Sequence, residues 1–168
     1  AKEKEGLHCA VRTDLLLAGI LGIICAAAGA VFSPWLLDIM SVPEEVRAGS
    51  LIYCRIYFGG IWAMILYNMM AGVLRAFGDS KKPLYVLVVC SVVNIVVDLI
   101  LVGLMHTGVG GAAAATVLSQ IVSVVLTAYF LVKSDFLEEK IGIRTMRICK
   151  EHMGMMINKG FPLALQSM

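Results

Sequence analysis

Residues 83–105 read PLYVLVVCSVVNIVVDLILVGLM, a run in which Asp98 is the only charged side chain. A helix of this length rises about 34 Å at about 1.5 Å per residue, enough to cross the roughly 30 Å hydrocarbon core of a bilayer. Three further runs have similar length and apolarity, and they cover residues 15–37, 51–74 and 109–132. The pattern predicts an all-α fold, a transmembrane helical bundle with four complete spans.

The composition of the whole chain agrees with this prediction. Of the 168 residues, 60% are hydrophobic and only 15% are charged, and the mean hydropathy is +0.87. A soluble domain averages about 45–50% apolar and about 25% charged residues. The 14 basic and 12 acidic residues nearly cancel and form no basic stripe. We therefore expect the lipid bilayer as the surroundings of the chain and no nucleic acid as a partner.

The reactive side chains show no catalytic pattern. Five cysteines and three histidines are scattered without the spacing of a metal site or of a disulfide framework. Neither a nucleophile–base pair nor a phosphate-binding loop is recognisable. The sequence therefore predicts no enzyme, no catalytic residue, no cofactor and no transition-metal site.

The basic residues predict the direction of the spans. Twelve of the 14 Lys and Arg residues fall in residues 1–14, 75–82 and 133–159, which the short connections place on one side of the membrane. The opposite side holds Arg47, and Arg55 lies within the second span. By the positive-inside rule the three basic segments are cytoplasmic. We expect a multi-pass protein of the plasma membrane.

Asp98 is the one acidic residue well inside a span, where a charge costs at least about 2.5–3.5 kcal/mol on insertion scales. Asn94 lies one helical turn earlier on the same face. Counting inward from the turn near residue 106 puts Asp98 level with Thr116, about 10 Å deep, and Asn94 level with Gln120. Oxygen ligands suit Na⁺ or a proton, so the four side chains predict a cation-binding or coupling site. Interhelical hydrogen bonding is the alternative for each of them.

Glycine and alanine recur where helices must approach each other closely. The second span carries Gly59, Gly60 and Ala63, and the fourth opens with a run of glycine and alanine. Small residues at such spacing let helix backbones come together in membranes. We expect packing contacts at most of these positions.

The chain continues past the fourth span. Residues 133–159 place apolar side chains at spacings of three to five with charges between them, which predicts an amphipathic helix on the cytoplasmic side. Residues 160–168 then begin a further apolar segment. We expect the sequence to be a piece of a longer protein, with a linker at 133–159 leading to a second bundle.

Four motifs resemble the MATE (multidrug and toxic compound extrusion) transporters. Residues 75–83, RAFGDSKKP, resemble the family's R-G-x-G-D-T-x-x-P, with Ala for the first Gly and Ser for Thr. Residues 94–98, NIVVD, resemble its N-I-x-x-D, and residues 108–120 resemble its G-V-x-G-A-A-x-A-T-x-x-S-Q. Residues 160–166, GFPLALQ, resemble the opening of its seventh helix.

The resemblance implies a twelve-helix protein of two six-helix lobes. Residues 1–132 would then belong to the N-terminal lobe as helices three to six, residues 133–159 would link the lobes, and residues 160–168 would start the C-terminal lobe. In some members the residues that match Asn94, Asp98 and Thr116 belong to a cation site, which also uses an acidic residue of a first helix that this sequence does not include.

The same resemblance implies a secondary antiporter that exports organic, often cationic, compounds against the entry of Na⁺ or H⁺. Its partners would be small organic substrates, the bilayer and the rest of its own chain. Arg75 and Asp79 would serve an inner gate or a charge-paired structural turn. Two alternatives stay open, a flippase for a lipid or lipid-linked sugar of the same broad superfamily, and a non-transporting membrane subunit. A flippase should have a more cationic cavity, whereas Arg55 is the only basic residue within a span.

Overall fold

The computed structural model describes the backbone of residues 2–133 and the side chains of residue 11 and residues 13–133. This part of the chain folds into four helices, α1 (Lys2–Ile39), α2 (Glu44–Ala76), α3 (Lys81–Asp98) and α4 (Gly108–Val132). Helix α3 continues into a π-helical segment, Leu99–Leu104. The predicted linker beyond residue 133 and the predicted start of a second lobe at 160–168 lie outside the described residues.

The predicted all-α bundle with four spans is confirmed. The helices long and apolar enough to cross a membrane cover Thr13–Ile39, Glu44–Ala76, Lys81–Leu104 and Gly108–Val132. Each contains the run predicted from the sequence, except that the third ends one residue earlier. The helices also extend beyond the apolar runs. Helix α2, for example, starts at Glu44 and Glu45, whose carboxylates are favourable beside the positive end of the helix dipole.

Helix α4 lies at the centre of the half of the bundle that carries the predicted site. Helix α2 packs between α1 and α4, while α3 packs mainly against α4 and touches α2 over a short stretch. Because short turns join consecutive helices, α3 and α4 run antiparallel as predicted. This arrangement leaves room between α2 and α3, on one side of α4.

The helices bury small and hydroxyl-bearing residues and expose large apolar ones. Leu104, Val132 and Val31 are 76%, 73% and 72% exposed. The interior combines two clusters of larger apolar residues around Leu74 and Val86 with a set of small side chains, Ala63, Ala71, Ala113, Ala115, Ser119, Ser123 and Thr127. Lipid tails are as apolar as leucine, so large apolar residues can face the bilayer, and small residues that allow close packing are favoured where helices meet. The distribution agrees with a lipid-facing exterior.

The turn between α2 and α3 is held by backbone hydrogen bonds. The Gly78 N–H donates to the Arg75 carbonyl at 2.9 Å, and the Asp79 N–H donates to the Leu74 carbonyl at 3.0 Å. This pair of bonds is the Schellman arrangement that closes helix C-termini. It requires a left-handed residue, and Gly78 has a φ of +82°. The glycine of the sequence motif therefore ends α2.

Candidate cation site and the adjoining cavity

A polar cavity of about 360 Å³ lies between α2, α3 and α4. Three of the four predicted site residues line it, Asn94 from α3 and Thr116 and Gln120 from α4. The remaining lining residues are Met64, Tyr67, Asn68, Leu87, Cys90, Ser91, Ser119 and Ser123. The structure thus brings the two carboxamides and the hydroxyl of the prediction to one space.

The hydroxyl groups around the cavity donate to their own helices. Thr116 Oγ1 donates to the Ala112 carbonyl at 3.0 Å, and Ser119 Oγ donates to the Thr116 carbonyl at 2.7 Å. Ser123 Oγ donates to the Gln120 carbonyl at 2.6 Å in the same way. Such back-bonding satisfies a hydroxyl proton inside a membrane without a partner helix. The oxygen lone pairs remain available on the cavity side.

Asp98 lies one turn from Asn94 and is not among the residues that line the cavity. It is half-buried, and its Oδ1 is buried without a hydrogen-bond partner in the described part of the chain. Nδ2 of Asn94 also has no hydrogen-bond partner in that part of the chain. One face of α3 thus carries an acceptor, Oδ1 of Asp98, and a donor, Nδ2 of Asn94, without partners among the described residues. Buried polar groups without partners cost free energy and are uncommon away from functional sites. The pair is suited to a ligand, or to protein segments beyond residues 2–133.

The observed pairing of α3 with α4 differs slightly from the pairing estimated by depth. A Cβ built on Gly111 would lie 3.3 Å from Cβ of Leu101, so these two residues face each other. Counting three residues from that contact along each antiparallel helix places Asp98 level with Ala114. Four more place Asn94 level with Leu118, between Thr116 and Gln120. Asn94 therefore shares the cavity with both, whereas Asp98 lies about half a turn nearer the α3–α4 connection than Thr116 does.

The helix changes its winding immediately after Asp98. In the segment Leu99–Leu104 the Met105 N–H donates to the Ile100 carbonyl at 2.9 Å, five residues back. The Thr107 side chain closes the wide turn by donating from Oγ1 to the Leu101 carbonyl at 2.6 Å. π-helical turns within α-helices are frequent at functional sites. The sequence carries no visible signal for this feature, because residues 99–104 read LILVGL.

The other two predicted residues lie at the α2–α3 turn, away from the cavity. Asp79 accepts from the Lys82 backbone N–H at 3.1 Å and forms an ion pair with Lys82 Nζ at 2.8 Å. These hydrogen bonds hold the pKa of Asp79 below its ordinary value. Arg75 is exposed. Within the described residues Asp79 therefore pairs with Lys82, and the geometry agrees with a charge-paired turn at the start of α3.

Sequence reasoning overlooked Asn68, which lines the cavity from α2. Its Nδ2 donates to the Met64 carbonyl at 2.8 Å. The available signal was a carboxamide in the middle of an apolar run, the same signal that identified Asn94. Ser123 was also missed. Serine is common in membrane helices, and whether a given serine of α4 faces the cavity depends on how α4 packs against its neighbours.

Comparisons with known proteins agree with this architecture. The family model MatE matches residues 1–100. The chain is 34% identical over 171 residues to the Bacillus subtilis protein named "Probable multidrug resistance protein YoeA", covering 98% of this chain and 37% of that protein. It is 36% identical over 112 residues to "Protein DETOXIFICATION 44, chloroplastic" of Arabidopsis thaliana, covering 66% of this chain and 22% of that protein.

Solved structures show the same fold. One is described as the inward-facing conformation of a multidrug resistance MATE family transporter of the MOP superfamily. It has a TM-score of 0.85 and 28% identity, covering 96% of this chain and 37% of its own. The chain thus spans little more than a third of the length of the relatives it matches. The family is one of transporters rather than enzymes. With its family-model match, its relatives and its four-span fold in agreement, this chain belongs to the MATE family of multi-pass membrane transporters.

Proposed function

We propose that the chain is part of a secondary antiporter that exports organic, often cationic, compounds and is driven by the entry of Na⁺ or H⁺. Residues 1–132 would belong to its N-terminal lobe, residues 133–159 to a linker between lobes, and residues 160–168 to the start of the second lobe. The names of the relatives, which describe multidrug resistance proteins, support the substrate class. We place the protein in the plasma membrane, and the twelve basic residues of the predicted cytoplasmic segments support an orientation with the α2–α3 turn inside.

The observation that carries the proposal is a pair of buried polar atoms, on Asn94 and Asp98, that have no partner among the described residues and lie at or next to a polar cavity. A carboxylate oxygen that has no hydrogen-bond partner among the described residues can coordinate Na⁺ or bind a proton. Thr116 and Gln120 add neutral oxygens one helix away. We assign the coupling cation to these four side chains, with Asp98 as the residue that carries the charge.

Similarity to two transporter conformations supports a role for this part as a rigid unit. A structure described as outward-facing matches with the same TM-score of 0.85 as the inward-facing one. A four-helix unit with the same fold in both states is what alternating access by the rocking of two bundles requires. Cation binding would then act by favouring one orientation of this unit over the other.

The flippase alternative is less well supported. No basic side chain lines the cavity formed by the described residues, and Arg55 is exposed on the outside of the bundle. An anionic headgroup would find no positive charge among these lining residues. An organic cation, by contrast, is compatible with such a lining.

The test is Asp98→Asn in the full-length protein, measured as substrate efflux from vesicles against Na⁺ and pH gradients. Asparagine keeps the size of the side chain and removes the charge, so we expect normal insertion and loss of the gradient dependence. Asn94→Ala and Thr116→Ala each remove one neutral ligand and should weaken the dependence less. Asp38→Asn is the matched control, because Asp38 pairs with Arg47 at the outer end of α1. Unchanged gradient dependence in Asp98→Asn, at equal protein level, would reduce Asp98 to a helix-packing residue and overturn the proposal.

A further inference from the structure

The polar cavity extends from Asn94 toward the α2–α3 turn and away from Asp98. On α3 it is lined from Asn94 back to Leu87, which lies six residues, about 9 Å, from the start of the helix. On α4 it runs from Thr116 to Ser123 in the antiparallel direction. The cavity therefore begins at the predicted cation site and extends from it toward the basic turn.

Polar side chains from all three helices contribute to the lining, beside apolar ones such as Met64 and Leu87. Four hydroxyls, those of Ser91, Thr116, Ser119 and Ser123, donate their protons to carbonyls of their own helices. Nδ2 of Asn68 likewise donates a hydrogen bond to the Met64 carbonyl. These hydroxyl oxygens keep lone pairs for the cavity, while the carboxamides of Asn94 and Gln120 add both oxygens and N–H donors. Water and small monovalent cations are the species that such a surface binds, because both present positive charge to oxygen.

The cavity is large enough, and suitably placed, for a hydrated cation to move through it. A volume of about 360 Å³ has room for on the order of ten water molecules at about 30 Å³ each. Moving a cation to this depth without its hydration shell would cost much free energy. Polar side chains and water in the cavity would replace much of that shell. None of the described lining residues carries a formal charge at neutral pH, so nothing there would hold a cation as strongly as Asp98 does.

Tyr67 closes the end of the cavity that faces the turn. It lines the cavity, is 7% exposed, and its hydroxyl donates to the Pro83 carbonyl at 3.4 Å. A hydrogen bond of this length is weak. Movement of one side chain would therefore connect the cavity to the first turn of α3.

We infer that this cavity is a hydrated passage through which a small monovalent cation moves between the Asn94 level and the α2–α3 turn, lined by Asn68, Ser91, Ser119 and Ser123. The inference rests on the proposed function, because it gives the coupling cation a route to the face that carries Lys81 and Lys82. It adds residues that the cation site itself does not contain.

The test uses the full-length protein in sealed vesicles, with its native cysteines replaced and single cysteines introduced. Ser91→Cys is nearly isosteric and places the thiol in the cavity. Val92→Cys is the matched control. Val92 neighbours Ser91 at the same depth and both residues are exposed, but Ser91 lines the cavity and Val92 does not. Ser123→Cys and Val125→Cys repeat the comparison on α4, where Val125 is 61% exposed. Thiols react as thiolates, so only a hydrated thiol is modified rapidly.

We expect a small cationic methanethiosulfonate to modify Ser91→Cys and Ser123→Cys at least about tenfold faster than their valine-derived controls. Access should come from the side that also labels Ser80→Cys in the turn, whichever side of the membrane that proves to be. The rate of each reagent is normalised to its rate with 2-mercaptoethanol in solution. On this scale the cationic reagent should react faster than an anionic one, because the hydroxyl and carboxamide oxygens of the lining favour positive charge.

Equal labelling of cavity and control positions overturns the inference, as does a preference for the anionic reagent or access only from the side opposite Ser80. Failure of the passage must be distinguished from failure of the proposed function. For this purpose, efflux driven by an ion gradient is measured on the cysteine-free parent protein. Absent labelling in a protein whose efflux still follows the ion gradient refutes the passage alone. Efflux that ignores every ion gradient refutes the proposed function, and with it the role of the passage in coupling, even where labelling succeeds.

Discussion

Gly59 and Gly60 are adjacent on α2, yet the structure predicts opposite effects for the same substitution. A Cβ built on Gly60 would collide with Cγ2 of Val117 and would lie 2.7 Å from Cγ1 and 3.0 Å from Cβ of that residue. A Cβ on Gly59 meets nothing within 4 Å. Val117 cannot swing away easily, because a β-branched side chain has one strongly preferred rotamer in a helix. Gly60→Ala should therefore strain the contact between α2 and α4, and Gly59→Ala should not.

The magnitude follows from two terms. Both substitutions gain roughly 0.8–1 kcal/mol of helix propensity, which cancels when they are compared. Gly60→Ala alone adds an overpacking cost of typically about 1–3 kcal/mol. We therefore expect Gly60→Ala to be less stable than Gly59→Ala by about 1–3 kcal/mol, with Gly59→Ala at or slightly above the wild type.

The assay is equilibrium unfolding of the full-length protein in mixed micelles of increasing SDS content. A third variant, Gly60→Ala with Val117→Ala, provides the control for the named contact. If the clash with Val117 is the cause, the double variant should be no less stable than Val117→Ala alone, giving a coupling energy of about 1 kcal/mol or more. Equal stability of Gly59→Ala and Gly60→Ala, or strict additivity of the double variant, would refute the assigned contact.

Three further predictions concern topology, the basic turn and the extent of the chain. A thiol reagent that cannot cross membranes should label Glu45→Cys from outside the cell and Ser80→Cys only from inside; the reverse pattern would contradict the positive-inside assignment. Because Lys82 lowers the pKa of Asp79, the ionised form is favoured in the folded turn, and its contribution is complete above the ordinary Asp pKa of about 3.9 and lost as the pH falls through the lowered value. The difference in thermal midpoint between wild type and Asp79→Asn should accordingly be present near neutral pH and vanish in acid, and a difference that persists in acid would argue against the ion pair. Vesicles that contain only residues 1–168 should show no ion-coupled efflux, since alternating access needs two bundles, and coupled efflux by this segment would show that a second lobe is unnecessary.

The spans were predictable because a bilayer imposes a simple length and hydropathy requirement. Residues 83–105 satisfied it with one charge, and the structure places a continuous helical segment at Lys81–Leu104. The helix ends were less predictable. Hydropathy detects only the apolar part of a helix, whereas α1 already begins at Lys2, well before its apolar run.

Side-chain contacts across helices were only partly predictable. The sequence indicated that small residues would pack, but Gly59 and Gly60 are equivalent in composition. Which of them meets Val117 depends on the rotation of α2 about its axis. That rotation follows from the packing of α2 against both α1 and α4, so no local pattern contains it.

The position of Asp98 shows how a local irregularity changes a site. Depth counting assumed about 1.5 Å per residue throughout, but a π-helical turn fits more residues into each turn than an α-helical one. Leu99–Leu104 therefore makes Asp98 shallower than the estimate, in agreement with its level at Ala114. The Asp98 carboxylate therefore lies nearest the α3–α4 connection, and the neutral oxygens that line the cavity lie between it and the α2–α3 turn.

Such an order has a physical consequence for a coupling cation. A charged ligand at the outer end binds most strongly, while neutral dipolar oxygens further in bind more weakly. In the proposed mechanism a cation binds at Asp98 and leaves through the cavity, because no second site further along the cavity holds the ion as tightly. Introducing a carboxylate at Asn68 would break this order by creating a competing site near the inner end. The coupling mechanism proposed for this chain therefore depends as much on the absence of charge among the described cavity residues as on the presence of Asp98.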